Sequence, residues 1–123
     1  MKLLHLFYQP YKWLFFIPFL LLNTFILASI AVFTAIFISP RMASTIGVYW
    51  AKLNAVFTPI FIAITGKENI NPSTSYVIVA NHQSFYDILL IYGWLGIDFK
   101  WVMKKELRKV PALGLACEKI GHV

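Results

Sequence analysis

The sequence predicts an α/β domain preceded by an N-terminal membrane-anchoring helix or two-helix hairpin. Two features of the 123-residue chain support this fold class. A long apolar run without charge lies in the first 58 residues, and the residues after it alternate short β-rich runs with helical ones. Strand–helix–strand order is typical of an α/β sheet. We therefore expect an anchor over residues 1–58 and part of an α/β domain over residues 59–123.

The composition points to a membrane surface. Hydrophobic residues make up 59% of the chain and charged residues 13%, with a mean hydropathy of +0.71. Soluble domains are about 45–50% apolar and about 25% charged, and disordered chains are still less apolar. The net charge of +6 favours an anionic membrane or a phosphorylated ligand over nucleic acid in so apolar a chain. The single cysteine, Cys117, excludes an intramolecular disulfide.

The predicted anchor begins with residues 14–38, which carry no charge. This run exceeds the roughly 20 residues that span a bilayer and the roughly 7–15 of a signal peptide. We therefore expect a retained transmembrane or re-entrant helix that ends at Pro40. Basic residues flank it equally on both sides, so the charge pattern leaves its orientation open.

A second, amphipathic helix is predicted over residues 42–58. Apolar residues recur there at spacings of three and four, at Ile46, Tyr49, Trp50, Leu53, Val56 and Phe57. Such a helix lies either in the membrane interface or on the surface of a domain, and the pattern fits both. With the first helix it forms a hairpin that turns at Pro40.

The second half of the chain reads as alternating strands and helices. Strands are predicted at 61–65, 76–80 and 99–103, and helices at 84–95 and 111–119. The run Tyr76-Val-Ile-Val-Ala80 has no polar alternation, which is typical of a strand buried on both faces. Gly93 and Gly96 are expected to end the first of these helices.

The segment that could take part in chemistry, residues 81–87, directly follows the predicted buried strand and begins the next helix. Ligand sites in α/β sheets lie beyond the carboxyl ends of strands. An imidazole such as that of His82 can accept a proton near neutral pH. A carboxylate such as that of Asp87 can orient the ring and stabilise the imidazolium. We therefore interpret His82 and Asp87 as a catalytic pair.

Two other interpretations compete for these residues. Ser84 and Asp87 alone form the capping box of a helix, although capping explains neither Asn81 nor His82. Ser84 could be a nucleophile with His82 as its base, but the Gly-x-Ser-x-Gly elbow of such hydrolases is absent.

The motif Asn81-His-x-Ser-x-x-Asp87 after a Val-Ile-Val-Ala strand resembles the first motif of the glycerolipid acyltransferase family. Supporting similarity extends over residues 64–123 and includes Gly66-Lys-Glu-Asn-Ile70, Lys104-Lys-Glu-Leu107, Pro111 and Gly114. The resemblance implies an acyltransferase that moves an acyl group from acyl-CoA or acyl carrier protein to the free hydroxyl of 1-acylglycerol-3-phosphate, making phosphatidic acid. It also implies a location in the bacterial inner membrane, with the site facing the cytoplasm.

The resemblance assigns roles to six residues. His82 is the general base and Asp87 orients it, while Asn81, Ser84, Lys104 and Lys105 bind substrate. The basic run at 100–109 fits the acceptor phosphate, and it equally fits anionic lipid headgroups. No cofactor or metal is implied, and His5, His82 and His122 lack the spacing of metal ligands.

The later family motifs, an arginine after a strand and a Glu-Gly-Thr block, do not occur up to Val123. We therefore expect an N-terminal portion of the enzyme that binds membranes but is inactive alone. The alternative is a small non-catalytic membrane protein that binds anionic lipid or a partner.

Overall fold

A computed structural model describes residues 2–58 and 60–123, which contain five α-helices. These are α1 (Lys2–Tyr11), α2 (Ile17–Phe37), α3 (Pro40–Val56), α4 (Phe85–Trp94) and α5 (Leu113–Ile120). A π-helical segment (Lys12–Phe16) joins α1 to α2, and 3₁₀ turns occupy Lys67–Asn69 and Lys105–Lys109. Pro59, at the predicted boundary between anchor and domain, lies outside the described residues.

The first helix is longer than the sequence predicted. Helical structure runs from Lys2 to Phe37 rather than starting at residue 14, because the apolar character already begins near Leu6. Pro10 and the π-helical segment after it are features at which helices bend. Residues 6–37 are long and apolar enough to cross a membrane by length and composition.

The first helix ends at Phe37 and the chain turns just before Pro40, where the sequence placed the turn of the hairpin, and Pro40 itself begins the second helix. Ser39 caps α3 by accepting a hydrogen bond from the Met42 amide at 3.2 Å. Pro40 follows the cap at a position where its missing N–H costs little. The sequence left open whether the apolar face of this helix meets the membrane interface or a domain, and Tyr49 and Val56 of that face are exposed in the structure. Small residues are buried instead, because α3 lies between α2 and α4.

Helices α2 and α3 are joined by a buried polar contact. The side-chain amides of Asn23 and Asn54 exchange two hydrogen bonds, of 2.9 and 3.0 Å. One turn away, the indole N–H of Trp50 donates to the Thr24 hydroxyl at 2.8 Å. Because polar groups in an apolar interior need specific partners, these bonds fix how the two helices pair along their length.

The second half of the chain packs directly on this helical pair. Helix α5 contacts α2 and α3 through a core of small and aliphatic residues, Ala28, Ala31, Ala43, Ala116 and Ile120. Helix α4 contacts α3 through Ala51, Ala55, Leu89 and Tyr92. The predicted anchor and the predicted domain therefore share both hydrophobic cores.

The α/β prediction is not confirmed, because none of the described residues forms a β-strand. The segments predicted as strands, 61–65, 76–80 and 99–103, are irregular. The segment expected to be buried on both faces is exposed, with Val77 at 93% and Val79 at 90%. A strand is stabilised by hydrogen bonds and side chains of its neighbours, and these segments have no such neighbour within the described residues.

One pair of backbone contacts nevertheless has the pattern of parallel strands. The Val123 amide donates to the Trp101 carbonyl at 2.8 Å, and the Met103 amide donates to the Val123 carbonyl at 2.7 Å. One residue thus bonds two residues of its neighbour that are two positions apart, as in a parallel ladder. Helix α5 lies in the connection between them, as in a crossover unit.

One face of the N-terminal helical region is exposed along its whole length. This apolar stripe consists of exposed large residues that recur at helical spacing: Phe7, Leu14, Leu21, Leu22, Phe25, Ile26, Ile30, Phe33, Ile36 and Phe37. At a rise of about 1.5 Å per residue it is about 45 Å long. The opposite face of α2 is covered by α3 and α5.

Candidate functional site

The predicted catalytic pair lies where an exposed loop enters α4. His82 is in the loop and Asp87 is in the first turn of the helix. The Nδ1 atom of His82 lies 3.4 Å from Oδ2 of Asp87. The His82 side chain is 60% exposed and that of Asp87 27% exposed, so the imidazole is open to an incoming molecule while the carboxylate lies behind it.

The Asp87 carboxylate is held by the backbone at the start of α4. Its Oδ2 accepts hydrogen bonds from the amides of Gln83 at 2.7 Å and Ser84 at 2.8 Å. The Ser84 hydroxyl in turn accepts from the Tyr86 amide at 3.2 Å. These contacts are the capping box that the sequence predicted.

Backbone hydrogen bonds also set the charge of Asp87. The amides of Ser84 and Gln83 lower the pKa of this carboxyl below its usual value, and the nearby His82 lowers it further. Asp87 is therefore ionised at neutral pH. A fixed carboxylate beside Nδ1 favours the tautomer with its proton on that nitrogen, which leaves Nε2 free to accept another proton.

The other predicted site residues are only partly brought together. Ser84 belongs to the capping box, and Asn81 directly precedes His82 and is exposed. Lys104 and Lys105 are exposed at the second 3₁₀ turn. In the part of the chain that the structure describes, no hydrogen bond or ion pair joins either lysine to His82 or Asp87.

Sequence reasoning missed Tyr86, which connects the site to the N-terminal helix. Its hydroxyl lies 3.5 Å from that of Tyr8 in α1. Desolvation, followed by the contact with Tyr8, raises the pKa of Tyr86 to about 12. Its position beside Asp87 is visible in the sequence, but no local pattern indicates a partner that lies 78 residues away.

The described residues contain no group of three or more His, Cys, Asp or Glu side chains that could hold a metal ion. The groups at the start of α4 that could take part in chemistry are the His82 imidazole and the carboxylate held beside it.

Comparison with known proteins places this segment in a family. The family model described as Acyltransferase matches residues 61–123. A chloroplastic 1-acyl-sn-glycerol-3-phosphate acyltransferase of Arabidopsis thaliana is 37% identical over 75 residues, which cover 60% of this chain and 20% of that protein. A 1-acyl-sn-glycerol-3-phosphate acyltransferase of Chlamydomonas reinhardtii is 38% identical over 63 residues, which cover 50% of this chain and 19% of that protein.

A further relative comes from another organism. An uncharacterized acyltransferase of Schizosaccharomyces pombe is 43% identical over 51 residues, covering 42% of this chain and 18% of that protein. The chain thus spans about a fifth of the length of the curated relatives it matches. The Arabidopsis relative is described as chloroplastic, so the predicted location in a bacterial inner membrane is not confirmed. No solved structure matches the chain significantly.

Proposed function

This chain belongs to the acyltransferase family, and on that premise we propose that it carries the general base of a lysophosphatidate acyltransferase. The reaction moves an acyl group from a thioester of coenzyme A or acyl carrier protein to the free hydroxyl of 1-acylglycerol-3-phosphate. The observation that carries the proposal is the contact between His82 and Asp87 at the start of α4. The 1-acyl-sn-glycerol-3-phosphate acyltransferase relatives support this choice of acceptor.

In the proposed mechanism, Nε2 of His82 takes the proton of the acceptor hydroxyl. The hydroxyl oxygen attacks the thioester carbonyl, a new C–O bond forms and the C–S bond breaks. The thiolate leaves with the bonding electron pair and takes the proton back from the imidazolium. Asp87 stabilises that imidazolium throughout. The 3.4 Å separation is long for a hydrogen bond, but such contacts often tighten when substrate binds.

The remaining predicted residues are proposed to hold the acceptor. Asn81 and Ser84 flank His82 and offer hydrogen-bonding groups on either side of it. Lys104 and Lys105 are proposed to bind the phosphate, which is supported by their exposure and by the absence of an ion pair to either lysine among the described residues. Anionic lipid headgroups remain the alternative ligand for the same two ammonium groups.

We propose that the irregular apolar segments are strands of an α/β sheet in the assembled domain. The parallel hydrogen-bond pattern between Val123 and the pair Trp101 and Met103 supports this. The exposed valines at 77 and 79 support it too, since a sheet with helices on its faces would bury them. Residues 59–123 would then be part of that domain, and residues 1–58 its membrane anchor.

Membrane association is proposed to use the apolar stripe. An exposed apolar patch of this extent is typical of a membrane or protein contact. The stripe is about 45 Å long whereas the hydrocarbon core is about 30 Å thick. Because α3 and α5 cover the other face of α2, a helix lying along the membrane surface agrees better with the packing than an isolated perpendicular span.

A non-catalytic role is the second candidate, favoured by the apolar stripe together with the basic run at 100–109. Such a protein would bind anionic membranes without needing His82. The test is an acyl-transfer assay on membranes from cells that express the protein from its natural gene. Transfer to lysophosphatidate that disappears in a His82→Ala variant supports the enzyme. Unchanged transfer in that variant, or none above the membranes of cells lacking the gene, favours the non-catalytic role.

A further inference from the structure

An open groove separates α1 from the end of α3. It has a volume of about 480 Å³ and is lined by Phe7, Tyr8, Tyr11, Val56, Phe57 and Thr58. The Tyr11 hydroxyl donates a hydrogen bond of 2.6 Å to the Phe57 carbonyl, which holds the two helices together on one side of the groove. Its lining is mostly aromatic and aliphatic carbon, so it suits a hydrocarbon ligand.

At one end the groove is continuous with the apolar stripe. Phe7 belongs to both, and the ring of Tyr11 stacks on that of Phe15 with centroids 6.3 Å apart. Phe15 is 66% exposed and lies next to Leu14 of the stripe. A lipid chain that contacts the stripe can therefore enter the groove without crossing a polar surface.

One wall of the groove contacts the residue that precedes Asp87. Tyr8 forms part of its wall, and the Tyr8 hydroxyl lies 3.5 Å from that of Tyr86. Tyr86 directly precedes Asp87 in the first turn of α4. The groove thus links the face assigned to the membrane with the turn that carries the orienting carboxylate.

We propose that this groove binds the hydrocarbon chain of the lysophosphatidate acceptor, an assignment that rests on the function proposed above. The acceptor is a membrane lipid, so its chain starts on the side where the groove opens. The acyl donor is carried by a water-soluble group, coenzyme A or acyl carrier protein, so we assign the groove that opens on the membrane side to the acceptor. Moving an apolar chain from the bilayer into water is unfavourable in free energy. A continuous apolar path lets the glycerol end approach His82 while the chain stays covered.

The assignment can be tested by photo-crosslinking with the whole chain in phosphatidylcholine vesicles. The probe is lysophosphatidate with a diazirine at the end of its acyl chain, and the comparison lipid is phosphatidylcholine with the same diazirine chain. We expect the lysophosphatidate probe to label residues 7–11 and 56–58 in preference to residues 21–37, and the comparison lipid to show no such preference. Excess unlabelled lysophosphatidate should abolish the preference, and acyl-CoA should not.

A matched pair of variants tests the groove itself. Val56→Trp places an indole ring in the groove. Met42→Trp adds the same ring at an exposed residue at the other end of α3. Val56→Trp should reduce groove labelling about tenfold, the loss expected when roughly two methylene groups lose an apolar site. Met42→Trp should leave it unchanged. Circular dichroism checks that both variants keep their helices, and mapping of the wild-type label does not depend on either variant.

Equal labelling patterns for the two lipids would overturn the assignment, as would displacement of the label by acyl-CoA. Selective groove labelling, together with no His82-dependent transfer in membranes that carry the protein expressed from its natural gene, would leave lipid binding in place and refute the proposed function. His82-dependent transfer with unselective labelling would refute only the assignment of the groove to the acceptor chain.

Discussion

The Nδ1 atom of His82 lies 3.4 Å from Oδ2 of Asp87, the same oxygen that accepts two backbone hydrogen bonds at the start of α4. The oxygen that caps the helix is thus the one that lies beside the imidazole, so the capping role and the proposed orienting role are compatible. The amides of Gln83 and Ser84 hold the carboxylate beside the ring and keep it ionised by lowering its pKa.

Replacing His82 tests the general base. In the protein expressed from its natural gene, His82→Ala should lower the rate of acyl transfer at least about 10²-fold, because a positioned base contributes about 10²–10⁴. Sedimentation with vesicles should show unchanged membrane binding, since the side chain lies outside the stripe. Gln83→Ala is the matched control, because only the backbone amide of Gln83 contacts Asp87. A His82→Ala rate close to that of Gln83→Ala would remove His82 from the mechanism.

Replacing Asp87 separates its charge from its capping role. In Asp87→Asn the side-chain oxygen can still accept the two amide hydrogen bonds, so unfolding should become easier by about 1 kcal/mol or less. The rate of transfer should nevertheless fall strongly, because a neutral amide does not stabilise an imidazolium. Ser39→Ala removes the cap of α3 and should cost similar stability at normal rate. Normal turnover by a less stable Asp87→Asn would leave capping as the only role of Asp87.

The local pattern predicted the start of α4 because all its partners are close in sequence. Ser84 and Asp87 cap the helix from within four residues, so their spacing suffices to predict the contacts. The long-range contacts had no such signal. Tyr8 meets Tyr86 and Asn23 meets Asn54 across separate helices, and nothing in either local sequence indicates the partner.

The predicted strands are not confirmed, for a related reason. Residues 76–80 have the composition of a buried strand, but burial and pairing depend on neighbouring strands rather than on composition. The spacing of large apolar residues did not indicate which face of α3 is buried, and in the structure Ala51 and Ala55 are buried against α4. Small residues carry little hydrophobic signal, although they allow helices to approach each other closely.

The Asn23–Asn54 contact should show strong coupling in a double-mutant cycle. Either single replacement, Asn23→Leu or Asn54→Leu, leaves a buried amide without its partner and should cost about 1–3 kcal/mol. The double variant should recover part of that loss, because no amide is then left unpaired. Chemical unfolding in detergent followed by circular dichroism gives the three free energies. Additive losses would show that the two amides act independently.

Stability should fall in mild acid because of His122. Burial, reinforced by Lys100 and opposed by Asp98, lowers the pKa of His122 to about 4. The unfolded chain binds this proton below about 6.5 whereas the folded chain does so only near 4. The free energy of unfolding should therefore decrease as the pH falls from about 6.5 to about 4, by at most about 1.4 kcal/mol per pH unit.

A variant that does not titrate isolates this effect. The His122 Nδ1 atom accepts a hydrogen bond of 3.2 Å from the Trp101 amide, and the side-chain oxygen of His122→Asn can do the same. The melting temperature should differ less between about pH 7 and about pH 5 for His122→Asn than for the natural chain. Equal differences in both proteins would assign the acid sensitivity to other groups.

Two glycine substitutions should have opposite consequences for the packing of the second half of the chain. A Cβ atom at Gly114 would meet the backbone carbonyl of Arg108. One at Gly93 would lie 3.2 Å from Cγ of Lys52, which a small shift of that side chain relieves, and in ordinary contact with the Lys52 backbone nitrogen at 3.5 Å and the Ala51 Cβ atom at 3.7 Å. Gly114→Ala must therefore push α5 away from the second 3₁₀ turn, at a cost of about 1–3 kcal/mol. Gly93→Ala should be neutral or stabilising, because alanine favours a helix interior by up to about 1 kcal/mol over glycine. Chemical unfolding of both variants measures the contrast, and equal stability would mean that α5 and the turn can separate freely. The turn carries Lys105, which is proposed to bind phosphate. Gly114→Ala should therefore also weaken binding to anionic vesicles or to lysophosphatidate.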